Sequence, residues 1–141
     1  MNETTARPTV ADIMQTDVFT LGRNDKLSTA DDLMVKQRVR HIVVLDEYDK
    51  VCAVVSQRDL FQGALFKALG YGSHLAKKML DNYAVKEAMS KELFTTTKDV
   101  PIAEAASIML TNKIGCLPVL EGGALVGIIT ETDFLRLAAA S

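Results

Sequence analysis

Between residues 27 and 37 the apolar side chains fall at Leu27, Ala30, Leu33 and Met34. That three-and-four spacing gives a helix one apolar face, and Asp25 just ahead of it offers an N-cap. The period then changes. Residues 41–45 and 51–55 are β-branched runs joined by a polar stretch, which predicts a hairpin, and a helix follows Ser56. Ahead of all this, residues 10–14 read as a helical turn and 18–20 as a short extended piece. The second half repeats the order. Asp99 caps a helix that carries Pro101 in its first turn and runs to Asn112. Strands at 117–120 and 125–129 are joined by Gly122 and Gly123, which supply the positive φ of a tight turn, and a helix from Glu131 to Ala139 closes the chain. Between the halves, residues 60–67 extend the first closing helix, Gly70-Tyr71-Gly72 breaks it, and 74–80 form one more helix.

The two halves are copies. Met14 and Met89, Thr20 and Thr95, Ala30 and Ala105, Met34 and Met109, Val44 and Val119, and Leu45 and Leu120 all lie 75 residues apart. The second hairpin turn is one residue shorter, and the spacing becomes 74 for Val54 and Ile128, Val55 and Ile129, Ser56 and Thr130, and Asp59 and Asp133. A unit of this length lies beyond the usual solenoid periods. The expected fold is therefore α/β (α+β), two tandem β-α-β-β-α repeats related by a pseudo-twofold axis. The boundaries are 1–72 for the first repeat with its N-terminal segment, 73–84 for a linker helix and 85–141 for the second repeat. Each half is too small to bury a comfortable core alone, so the two should share one and enclose a pair of related clefts.

Composition narrows the function classes. Hydrophobic residues make up 48% of the chain and aromatics 6%, with no Trp, so the core is aliphatic. A net charge of −2 argues against a nucleic-acid partner, which would call for a basic face. Cys52 and Cys116 sit in apolar runs without a CxxC and read as small buried hydrophobes, not metal ligands. Residues 1–7 lack an apolar signal core and no apolar run approaches a membrane span, so a cytoplasmic location is expected, with no membrane partner. His41 and His74 have no recurring nucleophile or carboxylate around them, which points away from an enzyme. The repeated methionines are explained by core packing. Lys77 and Lys78 read as a solvated helix face, with reach to a bound phosphate as the alternative.

Both hairpins end in a hydroxyl followed three residues later by an aspartate: Ser56-Gln57-Arg58-Asp59 and Thr130-Glu131-Thr132-Asp133. Either motif alone is a capping box, which needs no ligand. Both, however, stand at the carboxyl end of a strand in a duplicated unit, where α/β sheets leave ligand crevices. A helix start with a hydroxyl can hold a phosphate, and a carboxylate one turn further in can accept both hydrogen bonds of a ribose diol.

The runs Val39-Arg40-His41-Ile42-Val43-Val44 with Val54-Val55-Ser56-Gln57-Arg58-Asp59-Leu60, and Ile114-Gly115-Cys116-Leu117-Pro118-Val119 with Gly127-Ile128-Ile129-Thr130-Glu131-Thr132-Asp133-Phe134, resemble the cystathionine-β-synthase (CBS) domain as a tandem pair. The resemblance implies a stand-alone regulatory module whose clefts, built by both halves, bind AMP, ADP or ATP ahead of S-adenosylmethionine or NADH, with no required cofactor. One site would take Ser56, Arg58 and Arg40 for phosphate, Asp59 for ribose, Val54 beside the base, and Leu93 and Phe94 as the adenine wall. The other would take Thr130, Thr132 and Asp133, with Ile128, Cys116 and Leu117 beside the base and Val18 and Phe19 closing over it. Two arginines in the first face Gly115 and Thr132 in the second, so the Asp59 site should favour the more phosphorylated ligand. Two departures stand out. Val43 occupies the place of an expected proline and Ala53 that of a glycine. A homodimer and an unidentified protein partner are expected, and the alternative is a ligand-free dimerisation or assembly element.

Overall fold

The computed structural model describes residues 7–60, 78 and 80–140. The expected extension over 61–67, the break at 70–72, and His74, Lys77 and Met79 of the expected linker helix lie outside the described residues, as do residues 1–6. Lys78 is exposed and Leu80 buried. The chain forms two compact units, one of residues 1–18 with 94–141 and the other of residues 19–93. Compactness therefore divides the chain differently from sequence similarity. The opening segment of the first repeat packs with the second repeat's strands, and residues 85–93 pack with the first's.

The 19–93 unit contains β1 (Thr20–Gly22), α2 (Leu27–Gln37), β2 (His41–Leu45), β3 (Val51–Ser56), α3 (Gln57–Leu60) and a 3-10 turn at Val85–Glu87. Its sheet runs β1-β2-β3, with β1 parallel to β2 and β2 antiparallel to β3. Leu27, Ala30 and Met34 lay the apolar face of α2 against Ile42, Val44, Val55, Leu60, Leu80 and Val85. Val43, on the opposite face of β2, is also fully buried, so this central strand reads as a continuous apolar run and not as an alternation.

The other unit holds α1 (Val10–Ile13), α4 (Ile102–Asn112), β4 (Cys116–Glu121), β5 (Ala124–Thr130) and α5 (Glu131–Ala139). Its core joins Val10, Ala105, Met109, Leu117, Val119 and Ile129, with Phe94, Phe134 and Met14 against them. Here the strand equivalent to β1 shrinks to one parallel bridge, Thr96 to Val119. At one end of the pairing the cause is Pro118. Val43, its counterpart, donates its N–H to the Phe19 carbonyl at 3.1 Å, whereas proline has no N–H to give.

Both expected helix caps are corrected. Lys26 and Pro101 occupy the N-cap positions, without side-chain cap bonds. Asp25 instead accepts the Gly22 N–H at 2.7 Å and so ties the preceding turn. The helix-start donors are satisfied by a neighbouring extended segment: Leu27 N–H donates to the Tyr83 carbonyl at 2.9 Å, and Ile102 N–H to the Pro8 carbonyl at 3.2 Å. A backbone acceptor supplied from elsewhere in the unit removes the need for a capping side chain.

Candidate functional site: two strand-to-helix junctions

In the 19–93 unit, Ser56 ends β3 opposite His41 of β2. Its N–H donates to Asp59 Oδ2 at 2.8 Å, and the Asp59 N–H donates back to Ser56 Oγ at 3.1 Å. This reciprocal pair is a capping box. It engages one carboxylate oxygen; the other accepts no hydrogen bond among the described residues. Arg40 precedes β2 and its carbonyl accepts the Gln57 N–H at 2.8 Å, so its backbone is fixed beside the helix start. Arg40 and Arg58 are exposed, and neither forms an ion pair among the described residues. Val54 is half-buried, and its N–H donates to Ser90 Oγ at 3.1 Å.

The equivalent junction of the other unit is built alike but engaged differently. Thr130 stands opposite Cys116. Its N–H and its hydroxyl both donate to Asp133 Oδ2, at 2.7 and 3.3 Å. The remaining oxygen, Oδ1, accepts from Gln15 Nε2 at 2.8 Å and from Arg136 Nη1 at 3.2 Å. Asp133 is 2% exposed, and both of its oxygens are taken. Gln15 is itself pinned by its backbone, which donates to the Ile128 carbonyl at 2.8 Å and accepts the Ile128 N–H at 2.9 Å.

Within each unit the sequence-predicted residues group as follows. Ser56, Asp59, Arg40, Arg58 and Val54 share one junction; Thr130, Thr132, Asp133, Ile128 and Cys116 share the other. Thr132 is exposed, while Cys116 and Ile128 are buried. Leu117 is fully buried in the core of its unit, so its side chain is committed to packing. Phe94 packs against the same core, and Leu93 is exposed. Val18 and Phe19 are half-buried. Gln15, Ser90 and Arg136 were not among the predicted site residues. Gln15 and Ser90 follow the paired Met14 and Met89, so the repeat register marks them as equivalent positions bearing different chemistry.

Two further features bear on function. Among the described residues no helix is long and apolar enough to cross a membrane, and no group of His, Cys, Asp or Glu could hold a metal ion. Val35 and Leu110 are 69% and 79% exposed at the same repeat position of α2 and α4, and Leu135 of α5 is 68% exposed.

The CBS domain model matches residues 10–65 and again 85–140. The crystal structure of a candidate acetoin utilization protein (AcuB) from Vibrio cholerae is 32% identical, with a TM-score of 0.74, over 96% of this chain and 93% of that one. The structure of CBSX2 in complex with AMP is 26% identical with a TM-score of 0.73, over 94% of this chain and 97% of that one. Among curated proteins, an uncharacterized protein of Methanocaldococcus jannaschii is 25% identical over 91% of this chain. The inosine-5′-monophosphate dehydrogenase of the same organism is 29% identical over 85%. The chain spans 42% and 21% of the lengths of these two relatives. With two matches that together cover most of its length, this chain belongs to the CBS domain family, as a tandem pair.

Proposed function

We propose that the chain is a regulatory module that binds an adenosine-containing nucleotide, AMP, ADP or ATP, at these junctions and relays occupancy to a protein partner. The observation that carries this reading is the Asp59 junction. There, among the described residues, a carboxylate oxygen without a hydrogen bond, a serine hydroxyl and two exposed arginines without ion pairs stand at the end of one strand. A ribose diol offers the two donors the carboxylate can accept, and guanidinium groups suit phosphate. The AMP complex of CBSX2 supports the choice of ligand class. The chemistry is that of binding, not of catalysis.

Thermal denaturation with AMP, ADP, ATP, S-adenosylmethionine and NADH tests it. A ligand that binds only the folded state stabilises it by about 2.7 kcal/mol at one hundred times its Kd, and at least one adenine nucleotide should do so. An unmoved transition across the whole panel would favour the assembly element instead. The charge asymmetry is tested by calorimetry on Arg40→Ala, which should weaken ATP more than AMP, and more at low salt, because exposed charges are screened. A homodimer follows on the same reading, through the exposed Val35, Leu110 and Leu135. Light scattering at micromolar concentration should give twice the chain mass; a monomer would sink this part.

A further inference from the structure

The two junctions differ in one position that the repeat makes directly comparable. Gln15 and Ser90 each follow a methionine and each donate a backbone N–H to the corresponding residue of the last strand: Gln15 to Ile128 at 2.8 Å and Ser90 to Val54 at 2.9 Å. The serine side chain turns back and accepts the Val54 N–H at 3.1 Å. The glutamine side chain, two carbons longer, instead reaches Asp133 Oδ1 at 2.8 Å.

We infer that Gln15 is an internal latch on Asp133, occupying the carboxylate oxygen that a ribose diol would need and so weakening the Asp133 junction for adenosine ligands relative to the Asp59 junction. The inference rests on the proposed reading that these aspartates receive the ribose. Asp133 Oδ2 is already committed to the Thr130 N–H and hydroxyl, so Oδ1 is the oxygen left to bargain over, and a diol can engage it only by displacing donors already there. Arg136 also touches Oδ1, but at 3.2 Å and from a side chain 66% exposed, which makes it the weaker and more easily screened partner. The Gln15 amide is closer, and its backbone is held at both ends by Ile128. Ligand binding at this junction therefore has to break a preformed charge-assisted hydrogen bond, a cost that no donor among the described residues imposes at Asp59.

The test exchanges the two repeat residues in the full chain. Gln15→Ser, and Gln15→Ala as a second variant, are made in an Asp59→Asn background so that the Asp133 junction reports alone. Titration with AMP and with 2′-deoxy-AMP is followed by calorimetry, and unliganded melting confirms the fold. Releasing the latch should tighten AMP about tenfold, equivalent to about 1.4 kcal/mol, with a clearly smaller gain for the deoxy ligand. Ser90→Gln in an Asp133→Asn background should weaken AMP in the opposite sense. Unchanged AMP affinity in both Gln15 variants overturns the latch, as does an equal gain for the deoxy ligand. A loss of affinity overturns it too, since Gln15 would then be a ligand contact. If AMP binds the parent chain and depends on Asp133 but ignores Gln15, only the latch fails. If neither the parent nor any variant binds AMP, the latch fails, and if ADP and ATP also fail to bind, the nucleotide reading fails with it.

Discussion

In the unit of residues 1–18 and 94–141, Met14 and Gln15 lie so close to β5 that only a hydrogen fits at Gly127. A Cβ there would meet Met14 Sδ at 2.8 Å and the Gln15 carbonyl oxygen at 3.0 Å. The counterpart in the 19–93 unit is Ala53, fully buried. There the equivalent segment makes one backbone bond to the strand, from Ser90 to the Val54 carbonyl, and the Val54 N–H goes to a serine hydroxyl. One missing methyl group thus accompanies a tighter backbone contact, and that contact fixes the residue whose side chain reaches the candidate carboxylate. The difference between the two junctions begins in packing, beneath the polar groups that express it.

The largest expected effect asks whether the two cores are equally dense. Ile42 and Leu117 share one repeat position and both are fully buried. Replacement of either by alanine should cost about 2–5 kcal/mol, the spread reflecting how far each site can collapse. Denaturant unfolding of both variants measures it. A cost below about 1 kcal/mol for either would mean that its unit packs loosely at that position.

Gly127→Ala goes to the contact itself. The added carbon must push back Met14 or Gln15, and overpacking of this kind typically costs about 1–3 kcal/mol. It should also lengthen the Gln15 to Ile128 pairing, seen as faster amide exchange at Ile128. Ala53→Gly, the reverse change, should cost less, about 0.5–1 kcal/mol, from backbone freedom and a lost methyl. Equal costs for the two would remove the packing argument for the asymmetry.

Proline separates the units in the same way. Val43→Pro should remove the Phe19 hydrogen bond and shorten the β1 pairing, with a loss of about 1–3 kcal/mol if the Phe19 carbonyl is left unsatisfied. Pro118→Val restores a donor where its unit has none and should be close to neutral. A harmless Val43→Pro, by equilibrium unfolding, would show that the parallel pairing of β1 contributes little.

Much of this was legible in the chain. The 75-residue register placed both helices, both hairpins and both hydroxyl-to-aspartate junctions, because each depends on local periodicity or a short motif. What escaped depends on residues distant in sequence. Asp25 and Asp99 have the right chemistry to cap, but the Tyr83 and Pro8 carbonyls reach the helix starts first, and nothing local to residues 25 or 99 announces that. The Gln15 to Asp133 bond spans 118 residues and was equally invisible to motif reading. The exchange of segments between the compact units has the same origin. Val43 and Ala53 are visible in the sequence as departures, but their consequences depend on the partner strand and the methionine segment, which lie far away along the chain.

The smallest effect separates the two hairpin turns. The second turn relies on Gly122 and Gly123 at φ 58 and 86. The first places Asp49 at φ 61 and gathers its backbone around a carboxylate: Asp46 Oδ1 accepts the Tyr48 and Lys50 N–H groups at 2.8 and 3.0 Å. Those backbone donors, Lys50 first and Tyr48 next, hold the Asp46 carboxyl below its ordinary value of 3.8. A carboxylate with a depressed folded-state pKa contributes stability that is fully present above the unfolded pKa and is lost as pH falls through the folded one. The first turn should therefore loosen below about pH 4, while the glycine turn, whose flanking Glu121 carboxylate pairs with Lys98 and takes no turn N–H among the described residues, should not. Amide exchange at Tyr48 and Lys50 against that at Gly123 and Ala124, followed from neutral pH downward and corrected for intrinsic rates, reads the difference directly. Asp46→Asn should flatten the acid-dependent part of the first turn. If the native chain shows no greater loosening at Tyr48 and Lys50 than at Gly123 and Ala124, the first turn is held by its backbone conformation, as the second is, and the carboxylate is incidental.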